Sequence, residues 1–246
     1  MRLLILSDLH ANLHALEAVV ADSNGEFDQI VCLGDVVGYG ADPNEVTGWV
    51  RERVSAIVRG NHDRACTGDP VISGFSANAQ TAALWTLRHL KPGAFDYLRA
   101  LPTGPLEVTG VFLSHGSPRD EDEYIVTKHD AARLYRDLPG EVTFFGHTHI
   151  QIGFGMRKGK VWLLPPPDLT DLEMIYQLEP ESFYMLNPGS VGQPRDADPR
   201  AAYAIYDCAT RSVTFRRTPY DVAAAQKKIL GAKLPVFLAK RLSSGR

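Results

Sequence analysis

Two aspartates, one asparagine and four histidines recur along this chain in a pattern that suits metal chemistry. They stand in Asp8-Leu9-His10, Gly34-Asp35, Gly60-Asn61-His62-Asp63, His115-Gly116 and Gly146-His147-Thr148-His149. The donors are nitrogen and oxygen without sulfur, a set for Mn, Fe, Zn, Co or Ni and not for copper(I) or calcium. Seven such donors exceed what one tetrahedral zinc takes. With one carboxylate shared, they fit two divalent ions about 3.5–4 Å apart with positions left for water. A single Asp-x-His or Asn-His-Asp string also suits an ordinary turn. Turn chemistry does not explain why every set follows an apolar run.

Those runs are the elements that must position the donors. Met1–Ser7, Gln29–Leu33, Val54–Val58, Val111–Ser114 and Val142–Phe145 read as short buried strands, and a donor set follows each. In open α/β sheets ligands bind at the carboxyl ends of strands, so one crevice can collect all five sets. Helical spacing predicts helices over Ala11–Asp22, Pro43–Arg53, most of Phe75–Leu101, Lys128–Leu138, and two more from Asp221 and Pro235. Later come a hairpin (Gln151–Met156 with Val161–Leu164), a proline-rich loop from Pro165 to Pro180, and strands Ser182–Leu186, Ala202–Tyr206 and Ser212–Arg216. Strand and helix alternate first and strands dominate later, which points to one α/β domain over residues 1–246 built on two packed sheets.

Composition narrows the function. The formal net charge is -3 and the pI near 6.2, so no basic face argues for a nucleic-acid partner. Cys32, Cys66 and Cys208 form no Cys-x-x-Cys pair, which leaves neither a disulfide framework nor a thiolate zinc site. The apolar stretch Leu3–Leu6 is too short for a secretion signal, and no run approaches the ~18 residues of a membrane span. The expectation is a cytoplasmic protein without a membrane partner.

The motifs resemble those of the calcineurin-like metallophosphoesterase superfamily, and within it the small prokaryotic phosphodiesterases of the YfcE-like group. The family pattern D-x-H, G-D, G-N-H-D/E, H and G-H-x-H stands here in order as SDLH (7–10), GD (34–35), GNHD (60–63), SHG (114–116) and GHTH (146–149). NPGSVGQPRD (187–196) is similar to that group as well. The resemblance implies a four-layer α/β sandwich, two mixed sheets flanked by helices. It implies that Asp8, His10 and His149 hold one metal, that Asn61, His115 and His147 hold a second, and that Asp35 bridges them. Manganese leads the candidate ions, with Fe, Zn, Ni or Co as alternatives.

The expected reaction is hydrolysis of a small phosphate ester by in-line attack of a metal-bridging hydroxide. His62 would protonate the leaving oxygen and Asp63 would orient His62 through a hydrogen bond. Asn12 would reach the substrate or cap a helix. Tyr39 would wall the site and Arg195 would pair with a phosphate oxygen. His14 is read as a packing residue, Arg119–Glu123 as a solvated acidic loop and the basic C-terminal stretch as a packed helix. Protein Ser/Thr phosphatases of the superfamily carry Asp-Arg-Gly after G-D. Val37-Gly38-Tyr39-Gly40 stands here instead, which argues against phosphoprotein substrates. A phosphodiester is the leading substrate. A monoester, and a nucleotide or dinucleoside polyphosphate, are the alternatives. A non-catalytic protein-interaction scaffold is the rival from another class, disfavoured by the complete donor set. Oligomeric state is open, with a homodimer allowed.

Overall fold

The computed structural model describes residues 1–246. Two six-stranded mixed sheets face one another. The first runs β3 (Ala56–Ile57), β2 (Gln29–Cys32), β1 (Arg2–Leu6), β11 (Ala201–Asp207), β12 (Ser212–Thr218), β9 (Glu173–Gln177). The second runs β4 (Leu106–Val108), β5 (Val111–Leu113), β6 (Val142–Phe144), β10 (Phe183–Pro188), β7 (Gln151–Arg157), β8 (Lys160–Leu164). Within each sheet the strands that end at the donor sets run parallel: β1 with β2, β2 with β3, and β5 with β6.

The alternation of side chains along a strand explains the layers. Leu3 and Ile5 of β1 face the second sheet and join Val31, Leu113, Phe144, Leu186, Ala204 and Phe215 in the core between the sheets. Leu4 and Leu6 point the other way, onto α1 (Leu13–Ser23) and α2 (Pro43–Arg53), with Leu16, Val19, Val46 and Val50. Behind the second sheet, Phe145, Phe154 and Met185 pack on Ala131 and Leu134 of α6 (Lys128–Leu134). Strands covered on both faces read as unbroken apolar runs, as β1 does. The outcome is the expected four-layer α/β sandwich.

Some boundaries differ from the sequence reading. Phe75–Leu101 is two helices, α4 (Ala77–His89) and α5 (Pro92–Arg99), because Pro92 opens a new first turn. The proline-rich segment holds strand β9, which pairs with β12 from Ser212 to Arg216. Glu173, Tyr176 and their neighbours alternate only weakly in polarity at a half-solvated sheet edge, so no strand period stood out. The chain ends in α7 (Val222–Gly231) and α8 (Val236–Leu242), which pack their apolar faces together and onto Tyr39, Ala79 and Ala82. No helix is long and apolar enough to cross a membrane.

Candidate metal centre

The five donor sets meet at one edge of the sandwich, where the carboxyl ends of β1, β2 and β3 face those of β5 and β6. Five of the seven donors have positive φ: Asp8 (52°), His10 (47°), Asp35 (54°), His147 (65°) and His149 (60°). A non-glycine residue there costs of the order of 1–3 kcal/mol and persists only when its surroundings hold it. Backbone hydrogen bonds supply the hold. Asp8 N–H donates to Gly34 O at 3.0 Å, His10 N–H to Asp35 O at 2.9 Å, and Gly192 N–H to Asp8 O at 2.9 Å. Gly60 is required by close approach, since a side chain there would collide with the Asp35 carboxylate.

The donor atoms fall into two groups that share one residue. Asp8, His10, Asp35 and His149 form the first, and Asp35, His115 and His147 the second. Within each group one donor atom per residue lies within 4.8 Å of every other. His149 Nε2 is 3.4 Å from Asp8 Oδ1, His10 Nε2 is 3.6 Å from Asp35 Oδ2, and His115 Nε2 is 3.5 Å from Asp35 Oδ2. Two donors bound about 2.1 Å from one ion stand roughly 3.0–3.4 Å apart in octahedral or tetrahedral geometry, close to these separations. Asn61 Oδ1 lies 3.1 Å from His115 Nε2 and so joins the second group.

Tautomers decide that these nitrogens are acceptors. Nδ1 of His10, His115 and His149 meets the carbonyls of Val37 (3.0 Å), Leu33 (2.7 Å) and Gln193 (2.6 Å). A carbonyl only accepts, so Nδ1 carries a proton in each ring. His10 and His149, held neutral by burial, turn a bare Nε2 lone pair into the site, and His115 offers the same atom to a metal ion that displaces its second proton. Asp8 Oδ1, Asp35 Oδ2 and His147 Nε2 are buried without any hydrogen-bond partner. Buried polar atoms are almost always satisfied, and orphans converging on one point fit a cation. The residues present fit divalent metal ions.

Charge in the metal-free protein tells the same story. Burial pushes Asp8 up to about 7, with His115 opposing and Asp35 adding to the rise. Burial would also raise Asp35, but the positive charge of His115 beside it outweighs that and holds it well below the usual carboxylate range. His115 resists its own burial and rises to about 10 because it faces Asp35 and Asp8. Burial holds His10 and His149 well below the ordinary histidine range and takes His147 down to about 3, which keeps their lone pairs free.

The supporting shell corrects the sequence expectation for Asp63 and decides between the two readings of Asn12. Asp63 does not hydrogen-bond the His62 ring. Its carboxylate accepts from the backbone N–H groups of Asp35 (2.9 Å), Val36 (2.9 Å), Val37 (3.3 Å) and Gly60 (2.9 Å). It braces the turn that presents Asp35, because three successive N–H groups there point inward and need an acceptor. Asn12 is not free for substrate. Its Oδ1 caps α1 at Ala15 N–H (3.2 Å) and its Nδ2 donates to Gly192 O (2.9 Å) and the Tyr220 hydroxyl (3.3 Å).

His62 lines a cleft of about 260 Å³ that also takes in Asp35, Tyr39, Asn61, His147, His149 and Arg195. Its backbone N–H donates to Asp35 Oδ1 at 2.8 Å, which locks the ring against the shared carboxylate. The ring packs between Tyr39 and Phe75 at centroid distances of 4.3 and 4.5 Å, and Nδ1 has no partner. A Cβ on Gly38 would sit 2.5 Å from that Nδ1, so glycine there keeps the ring in place. Burial, partly offset by Asp35, lowers His62 to about 4 in the metal-free protein. The acidic run is not merely solvated: Glu121 pairs with Arg59 (2.8 Å) and Arg64 (3.0 Å), and Asp122 with Arg64 (3.0 Å).

Several site residues carried no signal that sequence reading picked up. The Tyr124 ring packs against His147 at a tilt, with centroids 4.2 Å apart, and Phe75 and Arg241 line the cleft, the last from α8. Asn187 donates to Gly146 O and Thr148 Oγ1, both at 2.9 Å, and so shapes the turn between the two last histidines. The similarity of NPGSVGQPRD to a known group could have flagged Asn187, but not what it touches.

Comparison with known proteins agrees with this geometry. Residues 1–211 match the calcineurin-like phosphoesterase superfamily domain. The uncharacterized protein MJ0912 of Methanocaldococcus jannaschii is 34% identical, over 98% of this chain and 97% of its own. A metallophosphoesterase structure from Sphaerobacter thermophilus is 38% identical with a TM-score of 0.87, covering 100% of this chain and 99% of that one. The hypothetical protein PH1004 of Pyrococcus horikoshii shares the fold at 21% identity and a TM-score of 0.80, over 100% of this chain and 98% of its own. With the fold, the donor clusters and these matches in agreement, the chain belongs to the calcineurin-like phosphoesterase superfamily.

Proposed function

We propose that the protein is a dinuclear metal-dependent phosphodiesterase. The observation that carries the reading is the sharing of Asp35 between two buried donor groups. Asp8, His10 and His149 would hold one ion and Asn61, His115 and His147 the other, with manganese the first ion to try. Bound there, the ions would supply Lewis acidity at phosphorus and a water acidic enough to attack near neutral pH.

The chain's own residues supply position and protons. Asp35 fixes the reaction axis through its link to the His62 backbone. His62 delivers a proton to the leaving oxygen through Nε2, because its Nδ1 is buried against Gly38. Tyr39 and Arg195, joined by a 3.2 Å hydrogen bond from Arg195 Nη2 to the Tyr39 hydroxyl, border the place where a phosphate oxygen would lie. Asp63 holds the Asp35 turn rigid.

A second reading, hydrolysis of nucleotides or dinucleoside polyphosphates, is favoured by one observation. Phe75 and Tyr124 line the same cleft as Tyr39, and Tyr124 is 53% exposed, which leaves aromatic surface for a flat group.

The test strips the metal, restores Mn, Ni, Zn or Fe singly, and compares bis(p-nitrophenyl) phosphate with p-nitrophenyl phosphate. Metal-restored hydrolysis that favours the diester supports the proposal. Faster monoester turnover makes the protein a phosphatase. Silence with every metal, in folded protein that binds fewer than two ions, returns it to the scaffold class.

A further inference from the structure

We propose that Arg195 and Arg241 form a subsite for a second anionic group of the substrate, carried next to the scissile phosphate. This rests on the hydrolase reading above and deepens it.

Both guanidinium groups line the cleft that holds His62, His147 and His149. Neither pairs with an aspartate or a glutamate. Arg195 donates through Nη2 to the Tyr39 hydroxyl and to Gln193 Oε1, each at 3.2 Å, and its Nε is buried without a partner. Arg241 donates through Nε to the main-chain oxygen of Arg246, the last residue, and lies 5.4 Å from the Phe237 ring. Elsewhere the part-buried arginines Arg64, Arg200, Arg216 and Arg217 each pair with an acid. Burial and the charge of Arg195 together bring Arg241 down to about 10, the behaviour of two cations facing one space.

The placement is built into the fold. Leu238, Ala239 and Leu242 anchor α8 in an apolar cluster with Tyr39 and Ala79, which fixes Arg241 between them. Ala197 N–H donates to Gly245 O at 2.8 Å, tying the end of α8 to the loop that carries Arg195.

Charge balance says what belongs there. Two divalent ions, set against the Asp8 and Asp35 carboxylates, an attacking hydroxide and a singly charged diester, already sum to zero. Arg195 is then a cation in excess, with the Arg241 guanidinium beside it on the same cleft, and a second phosphate next to the first would balance the excess. The planar fork of arginine suits phosphate oxygens, which favours a substrate with adjacent phosphates over a simple diester.

The probes are AMP and α,β-methylene-ADP, which differ by one uncleavable adjacent phosphonate-linked phosphate. Their binding to the manganese-loaded protein is measured by calorimetry for wild type, Arg241→Ala and Arg241→Lys. Wild-type bis(p-nitrophenyl) phosphate turnover is followed beside it. Wild type is expected to prefer α,β-methylene-ADP, and Arg241→Ala to lose about tenfold for it, at least fivefold more than for AMP. Arg241→Lys should keep part of the preference. Equal losses for the two ligands, or none, would overturn the subsite and place the arginines at the scissile phosphate or outside binding. Failure of the hydrolase reading looks different: the preference and its loss are intact, but wild type cleaves no ester.

Discussion

His10 Nε2 and His149 Nε2 lie 3.0 Å apart, and each ring has already committed its Nδ1 proton to a backbone carbonyl. Two neutral imidazoles so arranged point lone pair at lone pair, which is repulsive until a cation or a proton sits between them. Burial disfavours the proton on both rings. The pair is therefore a strained arrangement that a divalent ion relaxes.

Metal removal should show as lost stability. An ion held at about a hundred times its Kd stabilises the fold by ~2.7 kcal/mol. For a chain of this size that is a melting rise of roughly 5–10 °C. Calorimetric scans of metal-stripped protein with and without manganese read this directly. A melting point indifferent to manganese would mean that the pair holds no ion.

His62→Ala should leave metal content unchanged and slow diester cleavage by about 10²–10⁴. The loss should shrink with p-nitrophenolate as leaving group, which needs little protonation, and grow with an alkyl alcohol. A loss equal for both leaving groups would remove His62 from proton transfer.

Asp63→Asn tests bracing against orienting. One acceptor oxygen replaces a carboxylate that now satisfies four backbone N–H groups. Stability should fall by about 1–3 kcal/mol and the rate by 10–100-fold, as for other groups that orient ligands. The shape of the pH–rate profile should match wild type. A profile altered as in His62→Ala would restore the orienting role.

Much of this site was legible in the sequence because strand ends and glycine-flanked donors repeat at positions a sheet must align. Asp8, His10, Asp35, Asn61, His115, His147 and His149 all converge as read. What escaped detection depends on distant contacts. Asp63 and His62 are neighbours in sequence, and nothing local says that the Asp63 carboxylate turns toward the Asp35 turn instead. Asn12 is a helix cap by type and position, a role the substrate reading competed with. Arg241 reaches the cleft only because α8 folds back over Tyr39. β9 was hidden by the prolines that flank its loop, Pro165–Pro167 and Pro180, and by its weak alternation at the sheet edge.

Arg217 gives a test of the scaffold behind the site. It is buried, with Nε on Gln151 Oε1 (2.9 Å) and its other nitrogens on Asp196, next to Arg195. Gln151 in turn donates to Pro188 O (2.9 Å) and Tyr203 O (3.0 Å), one in each sheet. Arg217→Met leaves the part-buried Asp196 without its cation, held only by the Gln151 N–H at 3.0 Å, and should cost about 1–3 kcal/mol in denaturant unfolding. Adding Asp196→Asn should recover part of it. A single variant as stable as wild type would show that this network does not hold the loop.

The central claim is a pair of ions sharing Asp35 that together cleave a diester. The most direct measurement titrates manganese into metal-stripped protein and plots bis(p-nitrophenyl) phosphate hydrolysis against bound manganese per chain. The rate should stay low through the first equivalent and plateau at the second, with Asp35→Ala flat throughout. A plateau at one bound ion, or no hydrolysis with two ions bound, would contradict the account.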